Sequence, residues 1–141
     1  MMNGIAALCR YLLDDPDLNL EVKGNVYVGY FPPDKVQDGP MKCVVIRGTG
    51  GSPDSRLHTI EQQPIEIVSI AASYLEAMIV DLAVCQVLKD LDRKAVSGVL
   101  LHNAQIAGGA SQAPNAETGW PECRRQAVLR FDEREVEDGT V

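Results

Sequence analysis

Basic charge and histidine are both scarce in this 141-residue chain, and each shortage closes off a class of function. Thirteen Lys and Arg stand against twenty Asp and Glu, a formal net charge of −7. A protein that grips nucleic acid by neutralising phosphates carries a basic stripe, so that role is disfavoured here. His58 and His102 are the only histidines, and neither has an acid, base or nucleophile beside it in sequence. Imidazole-based catalysis therefore has no visible partner set, and neither histidine stands at metal-ligand spacing.

The four cysteines, Cys9, Cys43, Cys85 and Cys123, are too far apart to form a Cys-x-x-Cys ligand or redox pair. Each lies in or beside an apolar segment, which reads as a set of buried free thiols. The apolar stretch at residues 1–13 has no positive leader and runs into Asp14-Asp15-Pro16. It reads as neither signal peptide nor membrane span, and synthesis in the cytoplasm is expected.

Two further features look like chemistry and lack its essentials. Residues 48–52, Gly-Thr-Gly-Gly-Ser, follow a strand pattern, yet no Lys and hydroxyl pair follows to hold phosphate and magnesium, and no helix opens there. Asp14-Asp15 and the acidic run at residues 132–138 gather carboxylates with no glycine turn at calcium-ligand spacing. The run reads as a solvated tail covering about residues 132–141. No catalytic residue, metal ligand or cofactor is expected.

What is present is a pattern of elements. With 45% hydrophobic and 23% charged residues the chain has the balance of a globular protein, and its length suits a single domain spanning residues 1–141. Ile5, Leu8, Cys9, Leu12 and Leu13 recur at helical spacing with Asn3 as N-cap, which predicts a helix over residues 3–14 ended by Asp15-Pro16. Strands are predicted at residues 25–31, 41–47 and 64–71, with Pro64 at the first position of the third. Ser73-x-x-Glu76 is a capping box that opens a helix reaching about Leu91. After it come a strand over residues 96–106, with Val96, Leu100, His102, Ala104 and Ile106 on one face, a loop from Ala107 to Pro121, and a last strand at residues 126–131.

This order of helix, three strands, helix and two strands predicts an α+β fold: a mostly antiparallel sheet of about five strands with two helices on one face. The second helix carries two apolar stripes. Ala77, Val80, Val84, Val87, Leu88 and Leu91 form one; Tyr74, Leu75, Met78, Leu82 and Cys85 form the other, with Asp81 and Glu76 between them. A helix lying on a sheet needs only one, so the other must be covered by the first helix or by a neighbouring subunit.

The elements and turns IAALCRYLLDDPDL, NVYVGYFPPD, KCVVIRGTGG, QPIEIVSIAAS with YLEAMIVDLAVCQVLKDL, and ETGWPECRRQAVLRF span about Gly4 to Glu133. In this order they resemble the tail terminator proteins of long-tailed bacteriophages, also described as minor capsid or tail-completion proteins. The resemblance implies a non-enzymatic virion subunit, made in the host cytoplasm and placed at the head-proximal end of the tail. Its copies would form a ring, six-fold in that family, that stops growth of the tail tube and offers a surface to the neck or head-completion proteins. DNA would pass through the lumen without specific binding, which an acidic lining would favour by repelling phosphate.

The loops at residues 32–40 and 48–58 are long for so small a domain, and such loops are kept for contacts. Phe31, Asp34, Lys35, Arg56 and His58 are candidate docking residues there. Tyr74, Met78 and Leu82 of the second stripe, with Trp120 in its Gly-Trp-Pro turn, complete the candidate interface. The alternatives are another head–tail joining or neck protein, or a small-ligand or enzymatic protein on the same kind of sheet.

Overall fold

A computed structural model describes residues 4–49, 60–132 and 139–140. Asn3, Arg56, His58 and the acidic run at residues 133–138 lie outside the described residues. In chain order the elements are α1 (Gly4–Leu13), α2 (Pro16–Val22), β1 (Val26–Val28), a 3-10 turn (Pro33–Asp38), β2 (Cys43–Gly48), β3 (Ile60–Ile70), α3 (Tyr74–Lys89), β4 (Lys94–Val96), β5 (Val99–Pro114), β6 (Pro121–Asp132) and β7 (Gly139–Thr140). The strands form a single sheet in the order β1-β2-β3-β6-β5-β4-β7, antiparallel except for the β1–β2 pair. The fold is α+β, as the element order predicts.

One face of the sheet is the main core. Val44, Ile46, Ile65, Ile67, Ala127, Leu129 and Phe131 point to it, and α1, α2 and α3 cover it with Leu8, Leu12, Leu18, Val22, Val80, Val84 and Leu88. Burying aliphatic side chains of this size stabilises by roughly 1.5–3 kcal/mol each, so this layer holds the sheet and the helices together. Near β1, the opposite face is closed by a second cluster of Phe31, Cys43, Val45, Val68 and Ile70. All four cysteines are buried free thiols.

Several elements differ from expectation, each for a local reason. Asp15-Pro16 ends α1 and also starts α2: the Asp15 carboxylate accepts the Leu18 N–H at 2.8 Å, and Pro16 takes the first helical turn, where its missing N–H is harmless. Strand β1 stops at Val28 because Gly29 turns to a positive φ of 88°, which folds Phe31 under the sheet. Pro64 sits inside β3, opposite Val128, rather than at its start. Its carbonyl faces β2 and accepts the Thr49 N–H at 3.1 Å, so its ring nitrogen also points to that side, where β2 is ending.

The strand predicted over residues 96–106 is two strands. Ser97 and Gly98 both take positive φ, 51° and 83°, making a two-residue hairpin between β4 and β5. The register then slips between Leu101 and Asn103, so His102 is a bulge residue. The core face is consequently Val99, Leu101 and Ala104 rather than Leu100 and His102. Strand β5 also runs on to Pro114 in place of the expected loop, because β6 pairs with it as far as Pro121.

A candidate assembly interface

The loop between β1 and β2 packs onto a short aromatic stack. Phe31 is only 2% exposed and meets Tyr27 and Trp120 edge-on, at centroid distances of 5.6 and 5.2 Å. Lys35 lies 5.6 Å from the centre of the Tyr27 ring and donates to its hydroxyl at 3.3 Å, while Asp34 stands exposed on the same turn. Phe31 thus braces the loop from inside the subunit, and Asp34 and Lys35 form its outer surface.

Trp120 is positioned by the β5–β6 turn. The buried Asn115 side chain accepts the Glu117 and Thr118 N–H groups at 2.9 Å each and donates to Glu122 at 3.0 Å. Gly119 takes a φ of 77°, and the Trp120 N–H reaches the Thr118 hydroxyl at 3.2 Å. Asparagine suits the corner of such a turn because its amide mimics a backbone group. The structure therefore brings Phe31, Lys35 and Trp120 together, while Tyr74, Met78 and Leu82 stand on α3.

Helix α3 begins where the capping box predicts, with the Ser73 hydroxyl accepting the Glu76 N–H at 3.2 Å. Its first stripe is buried against the sheet. Of the second, Cys85 is buried, but Tyr74, Leu75, Met78 and Leu82 are exposed along one flank, joined by Ile79. Leu75 is 63% and Leu82 56% exposed, so α1 does not cover them. A row of large apolar side chains on one helix flank is the kind of patch that marks an association surface.

Asp81, expected to be a polar divider between the stripes, is 1% exposed. Its carboxylate accepts from Arg125 Nε at 3.1 Å and Nη2 at 2.7 Å, while Arg125 Nη1 donates to the Gly108 carbonyl at 3.1 Å. This hydrogen bonding to Asp81 raises the Arg125 pKa above its ordinary value. The exposed face of the central strands carries a second charged group that sequence patterning missed. Glu66 lies 3.5 Å from Arg47 and 3.4 Å from Arg124, and Arg124 also donates to the buried Glu122 at 2.9 Å. The available signal was the alternation of polar and apolar residues in β6, which placed Glu122, Arg124 and Gln126 on one face.

The described residues offer little for catalysis. Arg10, Tyr11, Asp14, Asp15, Lys94 and Ser97 line an open cleft of about 430 Å³ between the end of α1 and β4. Burial raises the Tyr11 pKa, helped by Asp90 and Asp15, so its hydroxyl holds its proton at neutral pH. Among the described residues no three His, Cys, Asp or Glu side chains converge to hold a metal, and no helix is long and apolar enough to cross a membrane.

No protein-family model matches the chain, and no curated protein matches it. Among solved structures, it is similar to a chain of the virion of native gene transfer agent (GTA) particle, with a TM-score of 0.57 and 18% sequence identity over 90% of this chain and 92% of that one. At that identity the likeness is one of fold, and it runs nearly the full length of both chains.

Proposed function

We propose that this chain is a structural subunit of a phage-type virion, with no enzymatic role, and that it acts as a tail terminator. Copies close a ring, six-fold, at the head-proximal end of the tail tube, stop its polymerisation and present the neck with a docking surface. The observation that carries this reading is the exposed apolar flank of α3, which the described elements leave bare. The shared fold with a chain of a gene transfer agent virion supports it, as does the order of elements and turns. The net charge of −7 suits a channel through which DNA slides without being held.

The test is assembly. Light scattering across a dilution series, alone and with purified tail tubes, should reveal a discrete ring or tubes capped at one end. A chain that stays monomeric at every concentration and leaves tubes uncapped would sink the reading. Binding to heads instead of tubes would move it to a joining role on the other side of the neck.

A further inference from the structure

We propose that the subunit carries two unlike docking faces, one along α3 and the edge of β5 and one beside β1, and that the β1 face of one copy seats against the α3–β5 face of the next. The inference rests on the ring reading above and specifies how the ring is made.

The first face joins a helix flank to a strand edge. Strand β4 pairs with β5 only at residues 99–101, so among the described residues the outer edge of β5 has no partner strand over residues 103–114. No Asp, Glu, Lys or Arg occurs in residues 95–116. Natural sheets usually protect an open edge with charge; here protection comes only from the irregularity between Ala107 and Ser111 and from Pro114, leaving short pieces of edge accessible on either side. Apart from Gln112, the side chains at residues 107–114 are small, and all are exposed, which permits close approach by another backbone. Arg125 ties this edge to the helix, since it bonds Gly108 of β5 and Asp81 of α3 at once. Met78 lies one turn before Asp81 on α3 and Leu82 directly follows it, which sets the exposed flank beside the strand edge that Arg125 reaches.

The second face lies by β1, an edge strand of the sheet. The described residues include eight exposed large hydrophobic side chains; five are the α3 flank, and the other three are Leu20 on α2, Val28 at the end of β1 and Tyr30 just after it. Strands β2, β3 and β6 separate β1 from β5, a path along the sheet of roughly 19 Å at ordinary strand spacing.

A second copy is the occupant that accounts for both patches. The α3 flank alone bares apolar surface on the order of 500 Å², the scale of the largest patch on a typical monomer. With the small β5 side chains added it approaches the roughly 800 Å² per partner of a stable contact. Pairing this face with itself by a two-fold axis would leave Leu20, Val28 and Tyr30 bare. Pairing unlike faces covers both, and a contact between unlike faces is the geometry from which rings are built.

Cysteine cross-linking of the full chain tests this, because the native thiols are buried and do not compete. Met78→Cys or Leu82→Cys marks one face, and Val28→Cys or Tyr30→Cys the other. After mild oxidation, mixtures of one variant from each face should give disulfide-linked heterodimers, and a chain carrying both should give a ladder ending at a fixed size. Dimers formed equally well by Met78→Cys alone would overturn the proposal, as would no cross-link in any mixture. Light scattering with tail tubes present separates the two levels: a discrete oligomer or capped tubes without these cross-links removes the assigned faces and leaves the ring, whereas a chain that stays monomeric and leaves tubes uncapped removes both. Leu82→Glu and Tyr30→Glu, checked for unchanged circular dichroism, should each weaken association at least tenfold.

Discussion

Asp81 on α3 and Arg125 on β6 form a two-pronged ion pair, with the shortest contact 2.7 Å and the carboxylate almost wholly enclosed. An enclosed carboxylate that loses its partner is left charged and desolvated. Arg125→Ala or Asp81→Ala should therefore cost about 3–5 kcal/mol in urea unfolding. Replacing both together, Asp81→Leu with Arg125→Met, should return most of that loss; a double variant no better than the sum of the singles would show that the two act independently.

Gly4 opens α1 directly against Phe131. A Cβ at Gly4 would meet the Phe131 ring at 2.6 Å, well inside contact distance. Helix propensity alone favours alanine by about 1 kcal/mol, whereas forcing atoms into a packed site costs about 1–3 kcal/mol. Gly4→Ala should lower the melting temperature for that reason, and adding Phe131→Leu should relieve part of the drop. A rise in melting temperature on Gly4→Ala alone would show that the ring yields freely.

The buried thiols make stability fall on the alkaline side. Burial pushes Cys9 and Cys43 up to about 12, whereas unfolded thiols ionise near pH 8.5. Above that point the unfolded chain releases protons the folded chain keeps, so the stabilisation is full below about pH 8.5 and is lost as the pH climbs toward 12. Two such groups give a slope of at most about 3 kcal/mol per pH unit. Urea midpoints measured from pH 7 to about 10.5 should fall accordingly, and the slope should flatten in the Cys9→Ala, Cys43→Ala double variant.

The β4–β5 hairpin places Ser97 at a φ of 51°, a conformation that asparagine tolerates better than serine. Ser97→Asn creates the Asn-Gly pair that type I′ turns favour, and should stabilise by about 0.5 kcal/mol. An unchanged or lowered urea midpoint would mean that other contacts of Ser97 outweigh the turn.

Trp120 is the only tryptophan, so its emission reports on the aromatic stack. Phe31→Ala removes the ring it packs against and should cost about 3–5 kcal/mol. The emission should shift to the red in the folded variant. An unshifted spectrum would mean that the turn at residues 115–120 holds the indole without Phe31.

Much of the fold was legible because it is written locally. The Ser73 capping box, the buried stripe from Ala77 to Leu91 and the apolar strands β2, β3 and β6 each follow from side-chain type and spacing within a few residues. The missed elements had local signals too, in Asp15-Pro16 as a helix start and Ser97-Gly98 as a two-residue turn. The distal half of β5 had none. Its glycines and alanines lack strand propensity, and it is extended because β6 pairs with it.

For the candidate interface, periodicity identified the second stripe of α3 but left open what covers it. Only the tertiary structure decides that α1 packs elsewhere, that the flank stays bare and that β5 brings an open edge beside it. By itself the sequence determines composition, helix and strand periods, caps and the absence of clustered chemistry, all of which depend on near neighbours. The burial of Asp81, the bulge at His102 and the order of strands were beyond it, because they depend on partners distant in the chain: Arg125 lies 44 residues from the carboxylate that it holds.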